Sequence, residues 1–116
     1  MKYYSEEESK ELRLAFEEKI LSWHQVTKKI MFGCPCYKTN EKLFAFLVTK
    51  GLVLTKLNQA QREELSEKYD TSYFQAGKKT VRNWLKITII KKTELDQLMS
   101  FVKKSYDNAI LNSKQT

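Results

Sequence analysis

The sequence predicts an α+β fold in two layers, an antiparallel sheet with helices on one face, in the order α-β-β-β-α-β-β-α. Three observations predict it. Apolar residues recur at helical spacing near both ends of the chain, while the middle segments alternate apolar and polar residues. The links between these alternating segments are too short for parallel strands. With 116 residues, the chain is predicted to form one domain over residues 1–116.

A helix is predicted over residues 5–23. Ser5 is its candidate N-cap, and Glu8 completes a capping box three residues later. The predicted apolar face consists of Leu12, Phe16, Ile20 and Trp23. The spacings of four, four and three residues bring these side chains to one side of a helix, where they can pack on a sheet.

Three strands follow, joined as an antiparallel meander. The first is predicted over 30–37, where Pro35 cannot donate to a sheet ladder and therefore indicates an edge or a bulge. The second and third strands are predicted over 43–48 and 52–57, with a tight turn at 39–42.

A second helix is predicted over 58–68, with Asn58 as N-cap and Gln61 as its reciprocal partner. A short strand over 73–76 and a turn at 77–80 follow.

The last strand is predicted over 81–90. Its predicted core side consists of Leu85, Ile87 and Ile89. Trp84 and Lys86 then point away from the core, because successive side chains of a strand alternate between its faces.

The last helix is predicted to begin after Thr93 as its cap, with Asp96 in its first turn. Its apolar stripe consists of Leu95, Leu98, Val102, Tyr106 and Ala109. The residues from about 112 onward are expected to form a polar, fraying tail.

Several segments resemble a known family. The run Lys-Ile-Met-Phe-Gly-Cys-Pro-Cys-Tyr at 29–37 resembles the opening strand of the TfoX N-terminal domain family, with Leu-Phe-Ala at 43–45 in its second strand. The segments at 54–57 and 62–65 are similar to that family's next strand and acidic helix. Ser-Tyr at 105–106 resembles the neighbouring YjbR/MmcQ-type domains.

This resemblance spans about residues 12–110. It implies the same order of elements and, through the competence regulator that gives the family its name, a regulatory role related to transcription. It supplies no catalytic residues.

The sequence lacks the motifs that are typical of membrane proteins, secreted proteins and enzymes. No apolar run approaches the roughly 20 residues of a membrane span, and the first residues have no signal-peptide core, so we predict a cytoplasmic protein without membrane contact.

Cys34 and Cys36 lack metal-ligand spacing, and His24 is the only histidine. We therefore predict no metal, no cofactor and no enzymatic activity. The two thiols are interpreted as small buried groups, with a reactive thiol or an intermolecular link as the alternative.

The strongest remaining feature is a basic stretch in a chain of net charge +7. Residues 71–92 contain six basic residues and no acidic one: Lys78, Lys79, Arg82, Lys86, Lys91 and Lys92. Tyr73, Phe74 and Trp84 interleave with them. Basic and aromatic side chains on one exposed surface suit contact with phosphates and bases, whereas a row of lysines alone can simply protect a sheet edge.

Two partner hypotheses follow. The first is protein–protein contact, including self-association, through the sheet face of Trp84 or the edge near Pro35. The second is nucleic-acid contact, expected to be weak, non-specific and salt-dependent because 18 lysines outnumber 3 arginines. The candidate contact residues are Lys78, Lys79, Arg82, Trp84 and Lys86.

Overall fold

The computed structural model describes residues 3–89 and 92–114. Its elements are α1 (Glu6–Ile20), β1 (Val26–Met31), β2 (Cys34–Thr39), β3 (Lys42–Val48), β4 (Gly51–Leu54), α2 (Gln59–Lys68), β5 (Thr71–Ala76), β6 (Lys79–Thr88) and α3 (Lys92–Lys114). The strands form one antiparallel sheet in the order β1-β2-β3-β4-β6-β5. This confirms the predicted α+β class, with one more strand than expected.

The additional strand arises because the predicted first strand is a hairpin. Phe32 and Gly33 both have positive φ, 55° and 76°, and form the two-residue turn between β1 and β2. β1 also contains Lys28 and Lys29, which the sequence analysis placed outside any strand. Most side chains of this outer strand are exposed, so its sequence carries no alternating apolar signal.

Pro35 does not mark an edge strand, because β1 lies outside β2. The ladder between β2 and β3 begins only at Cys36, so Pro35 lies beyond its end. The bulge lies further along, where Tyr37 pairs with Ala45 and Lys38 pairs with Leu43. Phe44 is the extra residue in β3.

The strand register divides the side chains between the two faces of the sheet. One paired row consists of Tyr37, Ala45, Leu54 and Leu85, and the next consists of Cys36, Phe46, Val53 and Lys86. Alternation places these rows on opposite faces. The first row lies on the helix side, since the ring of Phe16 in α1 packs on Tyr37 at a centroid distance of 5.2 Å.

The predicted core faces are confirmed. Leu85, Ile87 and Ile89 are buried. The predicted stripe of α3 is also buried throughout: Leu95, Leu98, Val102, Tyr106 and Ala109. Lys19 of α1 forms an ion pair with Asp96 of α3, which links these two helices.

Of the three predicted helix N-caps, the structure confirms one. Asn58 and Gln61 form the predicted capping box, with N–H···O distances of 2.8 and 3.0 Å. The Ser5 side chain makes no capping bond, and its backbone N–H donates to Thr49 Oγ1 instead. Thr93 is inside α3 rather than its cap, because the helix begins one residue earlier.

The chain also differs from prediction at several element ends. α1 ends at Ile20 rather than near residue 23, so Trp23 of its predicted apolar face lies beyond the helix and is half-buried. β4 ends at Leu54 rather than at residue 57, and β5 and β6 each begin two residues earlier than predicted.

α3 continues through Lys114, into the segment expected to be a frayed tail. β6 ends at Thr88, and Ile90, which the predicted last strand included, lies outside the described residues. Within residues 3–89 and 92–114, none of the helices combines the length and apolar character needed to cross a bilayer.

Candidate functional site

The hairpin formed by β5 and β6 carries the exposed cationic residues among those predicted to contact a partner. It turns at Gly77, which has φ 63°, and Lys78. Lys78, Lys79 and Arg82 are exposed, and none of them forms an ion pair with a described residue. The side chains therefore keep their charge available for a partner.

The structure divides four of the five predicted contact residues between two surfaces, and the fifth, Lys78, lies in the hairpin turn. Lys79 and Trp84 line a cavity on the sheet face away from the helices, and Lys86 belongs to a row on that same face. Arg82 lines a groove beside α2. Lys91 and the side chain of Lys92 lie outside the described part of the chain.

The groove beside α2 has a volume of about 810 Å³ and brings arginines from two elements together. Arg62 comes from α2 and Arg82 from β6, and Tyr73 of β5 lines the same groove with 51% of its surface exposed. Arg62 donates one bond to the Leu57 carbonyl, which orients its guanidinium. The one carboxylate of the lining, Glu63, accepts a hydrogen bond from the Gln59 amide at 3.1 Å.

Sequence reasoning missed Arg62 and did not list Tyr73 as a contact residue. Arg62 is far from the basic stretch along the chain and lies in an otherwise acidic helix. It joins Arg82 only because α2 packs beside the hairpin. The exposed Tyr73 carried a sequence signal, because it is an aromatic residue within the basic stretch.

Trp84 is not the freely exposed ring that the sequence analysis expected. Its side chain is half-buried, and its ring packs within the chain against Phe46 and Phe74, with centroid distances of 5.5 and 6.0 Å. Trp84 does lie on the predicted face of β6, away from the helices, but that face carries its own apolar cluster. The ring is therefore only partly accessible, from the cavity that it lines, which makes Trp84 a poorer stacking platform for a nucleic-acid base than a freely exposed ring.

That apolar cluster surrounds a cavity of about 410 Å³. Aromatic residues supply much of its wall: Tyr3, Phe32, Phe46, Phe74 and Trp84. The N-terminal segment is fixed beside it, because the Tyr3 hydroxyl accepts a hydrogen bond from the Gly77 N–H and the Tyr3 carbonyl accepts one from the Thr49 N–H, both at 3.0 Å. Lys79 is the one charged residue that residues 3–89 and 92–114 contribute to this lining.

Cys34 and Cys36 lie in the same wall and are buried free thiols, as the sequence analysis predicts. Burial, with a smaller contribution from Cys36, raises the pKa of the Cys34 thiol to about 11. Burial also raises the pKa of Cys36. Both groups are therefore protonated at neutral pH, and a protonated thiol is a poor nucleophile.

Among the described residues, no three histidine, cysteine or carboxylate side chains come close enough to hold a metal ion. His24 is exposed, and its carbonyl accepts a hydrogen bond from the Tyr106 hydroxyl at 2.8 Å. Its backbone thus contributes to the packing of α3.

One family model, described as YjbR, matches residues 21–108. The match runs from the segment after α1 into the last turns of α3 and agrees with the YjbR part of the resemblance noted above. It does not bear on the TfoX N-terminal part. Searches of curated proteins and of solved structures return no match.

Proposed function

The chain belongs to the YjbR family, and we propose that it binds single-stranded nucleic acid through the β5–β6 hairpin. The observation that carries this proposal is the charge of that hairpin. Lys78, Lys79 and Arg82 are exposed without ion-pair partners among the described residues, and residues 71–88 contain no carboxylate. Such a surface attracts the phosphate backbone of a nucleic acid and releases its counterions.

The groove beside α2 favours a single strand over a duplex. Tyr73 offers an exposed ring in the groove that Arg62 and Arg82 also line, and an unpaired base can stack on such a ring while its phosphates contact the guanidinium groups. In a duplex the bases are stacked on each other and are not free to do this. Binding is expected to tolerate many sequences, since every base has a face that can stack.

The proposal retains the nucleic-acid hypothesis of the sequence analysis but changes its residues. Tyr73 and Arg62 take the place of Trp84 in the proposed contact surface. We further propose the competence-related regulatory role that the TfoX resemblance implies, since a regulator could act through this nucleic-acid contact.

The test measures fluorescence anisotropy of a labelled mixed-sequence oligonucleotide at increasing salt. We expect the logarithm of the affinity to fall linearly with the logarithm of salt, with a slope of about −2 to −3 for three or four phosphate contacts to a single strand. The double variant Lys78→Gln/Arg82→Gln should reduce that slope by about 1.4. Tyr73→Ala should weaken binding about ten-fold at every salt concentration, whereas Tyr73→Phe should retain it.

The matched control is Lys10→Gln/Lys50→Gln, which removes the same charge from exposed positions in α1 and the β3–β4 turn. We expect it to leave the slope within error of the unmodified protein. Equal losses in the two double variants would mean that net charge alone attracts the oligonucleotide. That result, or no binding at low salt, would refute a site on the hairpin.

We propose self-association through β1 as a second candidate function. Within the described part of the chain, β1 has β2 as its single neighbouring strand, which leaves one side of its backbone without a strand partner there. Ile30 in this strand and Phe32 in its turn are 60% and 84% exposed, which is unusual for large apolar residues. Two copies of β1 could pair in antiparallel fashion around a two-fold axis. Trp84 and Pro35, named for this role by the sequence analysis, have no part in it.

Sedimentation velocity over a wide range of protein concentration tests this second candidate. We expect the sedimentation coefficient to rise with concentration for the unmodified protein. The variant Ile30→Lys should remain a monomer, because it places a like charge on each side of the two-fold axis. A concentration-independent monomer for the unmodified protein would eliminate self-association.

A further inference from the structure

The cavity on the face away from the helices is open to solvent and has a volume of about 410 Å³, within the size range of small-molecule sites. Other hollows of the described surface are as large, so its size alone does not distinguish it. Its lining does, because nearly all of the surface it exposes is apolar, whereas polar atoms supply a large share of the lining of the others. Small-molecule sites are typically concave and apolar with few polar groups, so this character points to a ligand.

The walls of the cavity are held in place by ring contacts. Phe46 and Phe74 meet edge to face at a centroid distance of 5.1 Å, and the Tyr3 ring lies 5.5 Å from Phe74. Trp84 packs against the same two phenylalanines. Because these contacts tie the walls to one another, the walls are held in place within the chain, and little of the binding energy is lost to ordering them.

The charge of the lining limits the class of ligand. Among the described residues, Lys79 is the only charged one in the lining, it makes no ion pair with any of them, and none of their carboxylates lines the cavity. Aromatic walls alone would also suit an organic cation. An ammonium group at the wall, with no carboxylate to balance it, disfavours a cation and favours an anion.

We propose that this cavity binds a small anionic amphiphile, with its apolar tail among the aromatic rings and its carboxylate at Lys79. The bound tail contacts Trp84 and the buried thiols of Cys34 and Cys36, while the carboxylate stays at the solvent side, where Lys79 is exposed. This site lies on the opposite face of the sheet from the groove of Arg62 and Arg82. Lys79 also belongs to the charged hairpin, so the two proposed sites share that residue but use different faces of the sheet.

Tryptophan fluorescence tests the proposal with decanoate as the probe. Trp23 packs on the helix side against Tyr106, so the variant Trp23→Phe leaves Trp84 as the only indole. Decanoate below its micelle-forming concentration should shift the Trp84 emission to shorter wavelength in a saturable manner, because the tail displaces water from the ring. An unchanged or non-saturating emission would overturn the proposal.

The head group is tested with two probes of the same chain length, decanol and decyltrimethylammonium. Decanoate should bind more tightly than either. In the Trp23→Phe background, Lys79→Met should weaken decanoate binding about five-fold, as expected for an exposed ion pair, and should leave decanol binding unchanged. Equal or tighter binding of the cationic probe would contradict the assignment of the carboxylate to Lys79.

Two further variants test the location. Lys78→Met removes a neighbouring exposed ammonium that does not line the cavity, and decanoate binding should be unaffected. Ala76→Phe places a ring at an exposed position of the lining and should abolish binding, with an unchanged circular dichroism spectrum as evidence of folding. Undiminished binding by a folded Ala76→Phe variant would show that the probe binds elsewhere.

Discussion

Replacing Phe44 by alanine is expected to lower the free energy of unfolding by about 3–5 kcal/mol, the range for deleting a buried aromatic side chain. Phe44 is fully buried and is the extra residue of the β3 bulge. Its ring meets Tyr106 edge to face at 5.4 Å and stacks with Trp23 at 6.5 Å. Alanine would leave a void between sheet and α3 that these large neighbours cannot fill.

Urea denaturation followed by circular dichroism measures this loss. The matched control is Phe32→Ala, because Phe32 is 84% exposed and the same atoms are deleted from the surface. Its effect is expected within about 0.5 kcal/mol of zero. A similar loss in both variants would mean that Phe44 does not hold α3 on the sheet.

Removing the hydroxyl of Ser105 is expected to cost about 2 kcal/mol, because a buried backbone donor loses its acceptor. Ser105 is fully buried in α3. Its hydroxyl donates to the Phe44 carbonyl at 2.7 Å and accepts from the Lys56 N–H at 3.1 Å. The Phe44 carbonyl also accepts from the Thr55 N–H, so the Lys56 N–H is the group that Ser105→Ala leaves unsatisfied.

Ser100 provides the control for that substitution, because it is an exposed serine of the same helix. Ser100→Ala should be neutral or slightly stabilising, since alanine has the higher helix propensity. The two variants are thus expected to change unfolding free energy in opposite directions. A Ser105→Ala variant as stable as Ser100→Ala would show that water replaces the lost hydroxyl.

Periodicity predicted the elements whose burial is one-sided. The stripe of α3 and the phase of β6 both follow from spacing alone, because one face of each element packs on the core. β1 was not predicted as a separate strand because its side chains are mostly exposed and because the turn that follows it contains Phe32. A phenylalanine with positive φ is rare, so no turn was expected there.

The candidate sites were harder to predict because they depend on which elements become neighbours. The exposure of Lys78, Lys79 and Arg82 follows from a basic run without acidic residues. The presence of Arg62 in the same groove as Arg82 does not follow from the sequence, since only the packing of α2 brings the two residues together. Trp84 was assigned to the correct face, but a second apolar cluster with Phe46 and Phe74 covers that face. Alternation within one strand cannot reveal such a cluster.

The strand order has a consequence for the speed of folding. Four of the five strand pairings join neighbours through tight turns, so each can form as soon as its own few residues meet. The pairing of β4 with β6 is different, because Leu52 meets Ile87 only after the chain between them, including α2 and β5, has closed into a loop. Loop closure precedes the stabilising contacts of that pairing, which makes it the slow event in assembling the sheet.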